Sequence, residues 1–539
     1  QVLLFGILAI ELKRKAPNAH TFLEIIRARF GAGTHKIFLG FALTCNMIVT
    51  GMLLLGGAAV VNGLTGMDIS LAAFLIPVGV MIYTLVGGLK ATFVADYMHT
   101  VIIFIVILTF VAMVFFISPI TGGIEGMYNK LVEAAALNPV LEPTFVEGEP
   151  GNAMGAYLTM ASAGGLIFGV INIVGNFGTV FVDQAYWQRA IAAQPSSTVK
   201  GFLLGGMCWF AIPFTLATTM GLTAVALDVE LTPEQVQLGL TVPAAASVLM
   251  GEIGAIMVLV MLFMAVTSAG SAELIAVSSL LTYDIYRTYK NPNATGKQLL
   301  KVSRAVIVAF GLGMGALAVV LLGMGLSLGF VYLAMGILIG SAVIPIALTI
   351  IWNKTTRAGA VAGALIGVVL SLTTWTSVAA SEADGVIDIA SLGGAFPMLY
   401  GNVVAILSSG LICVVVSLAQ NKKYDWKELD KHMSLVTDDM EEHEITSTEA
   451  MKREQDEEQL KKAFKFSVRG GGLLTLICVV FWPMPLYFSG YVFDFGFYGL
   501  WVGIAIAWVS CAAAIIIFMP IVEARKGIAK VASGKKATG

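Results

Sequence analysis

The sequence predicts an all-α polytopic membrane protein, and three observations carry that prediction. Hydrophobic residues fill 58% of the 539 positions and charged residues only 12%, about half the charge of a soluble domain. The mean hydropathy is +0.87. Apolar residues also recur in runs of about 20, the length a helix needs to cross the hydrocarbon core of a bilayer. These runs lack the alternation over about ten residues that strands of a membrane barrel require. With 32 Lys+Arg against 34 Asp+Glu, no positive excess remains for phosphate, which argues against a nucleic-acid binder.

Taken in order, the runs give one short span at 1–10 and twelve complete ones. The complete spans are 36–62, 68–87, 96–118, 156–180, 199–226, 252–284, 303–323, 327–351, 357–375, 399–420, 470–489 and 496–520. The segments between them sort by charge. Loops at 11–35, 88–95, 181–200, 285–302, 352–356 and 421–469, with the tail after 520, hold nearly all the Lys and Arg; only Lys130 falls in an alternate loop. The alternate loops carry Glu125, Glu133, Glu142, Glu147 and Glu149, then Asp228, Glu230 and Glu234, then Glu382, Asp384 and Asp388. The positive-inside rule makes the basic set cytoplasmic, including the C-terminus. The domains expected are a transmembrane core at 1–420, a mixed-charge insert at 421–469, two further helices at 470–520 and a tail at 521–539. The chain starts Gln1-Val2-Leu3 inside an apolar run, so a further N-terminal part is expected upstream.

Ionisable residues within spans are expensive, and their default reading is functional. Glu273 is the clearest: Ala265, Ala269 and Glu273 are spaced i, i+4, i+8 on one helix face. The alanines would let another backbone approach, and the alternative is a carboxylate held for packing specificity. Asp96 opens the span 96–118, where an acidic residue caps free amides and favours the helix dipole. His99, one turn on, is placed to share a proton with it. The stretch Asn172-Ile173-Val174-Gly175-Asn176-Phe177-Gly178 reads either as an interrupted helix lining a cavity or as close packing through small residues. No catalytic triad, metal cluster or ATP-binding motif is visible, so the chain reads as a non-enzyme without a cofactor, and uphill transport would draw on an ion gradient.

Several segments resemble the sodium:solute symporter family: Gly87-Gly88-Leu89-Lys90-Ala91 followed by Asp96, Gln188-Arg189-Ala190-Ile191-Ala192-Ala193, Asp284-Ile285-Tyr286, and Trp352-Asn353-Lys354-Thr355-Thr356. The likeness is closer still to its urea active transporter branch, the urea–proton symporters. Its carriers are Thr21-Phe22-Leu23-Glu24, Gly175 to Gly178 with Val182-Asp183-Gln184-Ala185-Tyr186-Trp187-Gln188-Arg189, and Trp482-Pro483-Met484-Pro485 with Tyr487-Phe488-Ser489-Gly490.

The resemblance implies a leucine-transporter-like core of two inverted five-helix repeats with alternating access. It also implies that residues 1–10 end the second core helix. The broken first helix would then lie upstream, and the chain as given would not transport by itself. Onto the family's substrate positions fall Asn176, Trp209 and Tyr332, an amide with two aromatics that suits planar urea. Onto its cation site falls the pair Ser268 and Ala269, where the family has two hydroxyls, so one oxygen is lost; Ala265, on the face of Glu273, and Asp96 are the further ion-coupling candidates. Glu273 is then the expected carrier, with H+ rather than Na+ as the coupling ion. The function expected is urea uptake across a plasma membrane. The alternatives are a sodium-coupled symporter of another small polar solute or polyamine, and a transporter-like nutrient sensor.

Overall fold

The computed structural model describes residues 1–16, 19–146, 148–159, 161–193, 195–429, 464–466, 468–469 and 471–473. The C-terminal spans at 470–489 and 496–520, the Trp482 to Gly490 motif, most of the 421–469 insert and the tail lie outside those residues. Two helices, α1 (Val2–Lys15) and α2 (Phe22–Phe30), precede the first long span, α3 (Ala32–Thr65). Next come α4 (Ile69–Gly88), α5 (Thr92–Ile117) and the short α6 (Gly123–Leu137). The chain continues through α7 (Ala163–Phe181), α8 (Gln184–Ala192), α9 (Gly201–Ala226), α10 (Thr241–Met250) and α11 (Glu252–Lys290). The last four are α12 (Gly296–Gly323), α13 (Leu328–Ile351), α14 (Arg357–Glu382) and α15 (Ala395–Gln420). Ten of these are long and apolar enough to cross a membrane. They coincide with the ten complete spans expected between 36 and 420.

Local chemistry sets the helix ends. Asp68, Ser162, Thr295, Ser327 and Thr356 each accept a hydrogen bond from a first-turn amide, as N-caps do. Gly88 separates α4 from α5 at φ 55°, a left-handed conformation that glycine tolerates without a Cβ clash. That junction moves the start of α5 to Thr92, upstream of the expected 96. Asp96 therefore sits inside the helix and is not its cap. The span expected at 156–180 starts only at Ala163, because Asn152 and Ser162 pair as an isolated bridge and Ser162 then caps α7.

The interrupted helix weighed at Asn172 to Gly178 is not what forms: α7 is continuous from Ala163 to Phe181. Its glycines serve packing. A Cβ on Gly175 would stand 2.6 Å from Met335 Cε, and one on Gly178 2.7 Å from Ile339 Cγ1. Both neighbours belong to α13, the most buried span described, with 72% of its most apolar stretch covered. A Cβ on Gly336 of α13 would lie 2.0 Å from Asn402 Oδ1 of α15 and 3.0 Å from the Gly175 backbone. So α7, α13 and α15 meet at near-backbone distance, the close approach that small residues permit in membranes.

Aromatic packing fixes α8 beside this core. Trp187 is fully buried, donates from Nε1 to Phe181 O at 2.8 Å, and meets Phe5 and Phe22 at ring distances of 4.6 and 5.4 Å. The start of the charged insert touches the bundle through its aromatic residues and Leu429. Lys15 Nζ lies 3.6 Å from the Trp426 ring centroid, Arg29 lies 4.7 Å from that of Tyr424, and Leu429 is buried.

Replacing Gly336 with Val should destabilise the protein by about 1–3 kcal/mol through overpacking, read as a lower melting temperature in detergent. Gly313→Ala, whose Cβ would meet nothing within 4 Å, should leave the melting temperature unchanged or slightly raised.

Candidate substrate and coupling sites

One polar cluster forms where α7 faces α13. Phe168, Asn172 and Asn176 follow one another at i, i+4, i+8 and so share a face of α7. Asn176 Nδ2 donates to Asn172 Oδ1 and, at 3.4 Å, to Tyr332 Oη on α13. Tyr332 Oη in turn donates to Asn172 Oδ1. The Phe168 ring stacks on that of Tyr332, with centroids 6.0 Å apart and planes inclined by 15°. The structure thus brings together Asn176 and Tyr332, two of the three expected substrate residues. Trp209, 44% exposed on α9, joins them by neither hydrogen bond nor ring contact among the described residues. Asn172 and Phe168 take the places beside the pair. The arrangement offers amide and phenol groups for hydrogen bonding and flat faces for stacking.

A second cluster is buried between α3, α8 and α11. Asn46 Nδ2 donates to Asp183 Oδ1 and to Glu273 Oε2, both at 2.7 Å. One amide nitrogen thus holds the two carboxyls side by side. Asp183 additionally caps α8, accepting from Ala185 N at 2.6 Å. Exposure is 0% for Asn46, 1% for Asp183 and 3% for Glu273. No Lys or Arg contacts either carboxyl among the described residues. Beyond the end of α7, burial pushes the Asp183 carboxyl above the ordinary aspartate range. Two buried carboxyls held on one amide nitrogen are most stable with one proton on the pair, since like charges in such a site cannot both ionise cheaply.

The third cluster accounts for Asp96. Its Oδ2 pairs with Arg189 Nη2 of α8 at 2.7 Å, and its Oδ1 accepts from Ser268 Oγ of α11 at 2.5 Å. Both carboxylate oxygens are thereby engaged, and His99 is not a partner; its Nδ1 is buried with no hydrogen bond among the described residues. Ala269 is half-buried and Ala265 exposed. The packing of small residues expected at these alanines lies further along α11, where Ala272 and Ala276 pack on Ala185.

Asn46 and Asp183 were not singled out in the sequence. An asparagine in mid-span and an aspartate just beyond a span's end were visible signals, but their convergence on Glu273 is tertiary.

A bundle of ten helices long and apolar enough to cross a membrane, with polar clusters packed between them, is the architecture of a membrane transporter of the leucine-transporter-like fold. A substrate-bound, outward-open Na+-coupled sialic acid symporter superimposes with a TM-score of 0.57 at 15% identity, covering 79% of this chain and 84% of that one. The sodium:solute symporter family model matches residues 1–367. The urea-proton symporter DUR3 of Oryza sativa subsp. japonica is 50% identical over 540 residues, spanning 99% of this chain and 74% of that protein. The urea active transporter of Saccharomyces cerevisiae is 37% identical over 599 residues, spanning 98% and 79% respectively. The chain belongs to the sodium:solute symporter family.

A double-mutant cycle of Asp96→Asn and Arg189→Gln, measured by unfolding in mixed detergent, should return a coupling energy of roughly 0.5–3 kcal/mol for the pair. Additive single effects would show that the ion pair does not form.

Proposed function

We propose that this protein is a secondary active transporter that carries urea into the cell across the plasma membrane, driven by a proton gradient, with its basic loops and C-terminus cytoplasmic. The observation that carries the reading is Glu273, buried and sharing the Asn46 amide donor with a second buried carboxyl, with no Lys or Arg in contact among the described residues. A site of this kind exchanges a proton with little rearrangement, whereas sodium needs several oxygens. Ser268 supplies one hydroxyl, already donated to Asp96; Ala269 supplies none, and Asp96 is neutralised by Arg189. The rice relative is named as a proton symporter and the yeast relative as a urea active transporter, which supports both halves of the proposal.

For the cargo, Asn172, Asn176 and Tyr332 present complementary donors and acceptors, and the stacked Phe168 and Tyr332 rings suit a flat solute. Among the described residues no carboxylate belongs to this cluster, which disfavours a polycation. Trp209 remains a candidate contact only if the solute extends toward α9. Urea binding would displace the mutual hydrogen bonds of Asn172, Asn176 and Tyr332 and replace them with bonds to the solute. Alternating access then requires α7 and α13 to open on either side of that cluster.

The test is labelled-urea uptake by the full-length protein in proteoliposomes. Asn176→Ala and Tyr332→Phe should each raise KM by about tenfold, the cost of one or two lost hydrogen bonds. Glu273→Gln should remove the response of uptake to an inward proton gradient. Wild-type KM in both site variants, together with an unchanged pH response in Glu273→Gln, would overturn the proposal.

A further inference from the structure

We propose that Asp183 is a second proton carrier, receiving the proton from Glu273, and that Asn46 is the positioning residue that holds the two carboxyls for that transfer. The inference rests on the proton-coupled reading of Glu273 and extends it to the route the proton takes.

The geometry gives each of the three residues a distinct part. Glu273 belongs to the long span α11, whereas Asp183 stands at the first residue before α8, on the side of the bundle that carries the basic loops. A proton moving from one to the other therefore moves from within the membrane span toward that side. Both acids reach the same amide nitrogen at 2.7 Å, so the transfer stays within one clamp. In the step, the O–H bond on Glu273 breaks and one forms on Asp183; Glu273 becomes the carboxylate and Asp183 the neutral acid, with no change in the charge of the pair.

Asn46 makes the exchange nearly symmetrical. Its single amide nitrogen gives one N–H to each carboxyl at the same 2.7 Å, so whichever acid is ionised finds a donor already in place. Asn46 Oδ1 is buried without a partner among the described residues, which leaves an acceptor open on the clamp itself. The charged and titratable neighbours that act on the pair are Cys45 on α3 with Tyr186 and Arg189 on α8. Cys45 Sγ approaches Gly178 O at 3.9 Å, and Arg189 is spent on Asp96. Neither therefore neutralises the pair in place of a proton. The amide of Ala185, donating at 2.6 Å, stabilises Asp183 as a carboxylate once the proton has left. That bond ties its protonation to the start of α8 and, through Arg189, to Asp96 and Ser268 on α5 and α11.

The experiment reads urea influx and proton influx together, with labelled urea and a pH-sensitive dye in proteoliposomes of the full-length protein. Asp183→Asn should lose about a hundredfold or more of gradient-driven uptake, the scale of a missing proton-transfer group, and its protons moved per urea should fall below the wild-type ratio. Asp183→Glu should restore part of both. Asn46→Asp keeps the shape of the clamp but adds a third carboxyl, so half-maximal uptake should move to higher pH because an added negative charge favours proton binding. A wild-type ratio in Asp183→Asn, or an unmoved pH profile in Asn46→Asp, overturns the relay. If the unmodified protein moves urea without protons, the proton-coupled reading itself fails, and the relay with it; that result is distinguished because it needs no variant.

Discussion

Burying Asp183 and Glu273 side by side on one amide nitrogen, with no Lys or Arg in contact among the described residues, imposes a condition on the surrounding helices. Two ionised carboxylates in such a place would cost far more than the contacts around them return, so the site is stable when it keeps a proton. The condition holds only while α3, α8 and α11 stay in register, because one residue comes from α3, one stands at the head of α8 and one lies on α11. Trp187 packed against Phe5 and Phe22 fixes α8, and Ala272 and Ala276 against Ala185 let α11 come close. The Asp96 to Arg189 pair completes the arrangement by engaging the Arg189 guanidinium elsewhere.

The polar cluster at Asn172, Asn176 and Tyr332 depends on a different device. Glycine at 175 and 178 brings α7 onto α13, and Gly336 brings α13 onto α15. The asparagines share their helix with these glycines, so the face that packs and the face that offers hydrogen bonds are set by the same seven residues, Asn172 to Gly178. A movement that separates α7 from α13 changes the cluster and the packing together. That gives a structural basis for coupling access to the occupancy of the site.

Much of the fold was legible because lipid burial is written residue by residue. Apolar runs of about 20 located all ten described spans, and basic and acidic loops sorted without the structure. Glu273 was legible for the same reason, as a carboxylate within a span. Its partners were not, because residues 46, 183 and 273 are far apart in sequence and no local pattern joins them. Asp96 looked like a cap because the turn at Gly87 and Gly88 seemed to end one helix well before the next; in fact the helix resumes at Thr92 and places Asp96 one turn inside. The glycines beside Asn176 could signal either a break or close packing, and only the side chains of Met335 and Ile339 decide for packing. Asn172 went unselected although it lies one turn from Asn176, since its role depends on Tyr332 reaching across from α13.

The most direct measurement is the current evoked by urea from the full-length protein on a supported membrane, recorded in sodium-free buffer over a range of pH. The account expects a urea-evoked positive charge movement that grows as the urea-facing side is acidified and needs no sodium. A current that requires sodium and ignores pH would contradict it, because the buried carboxyl pair would then have no part in coupling.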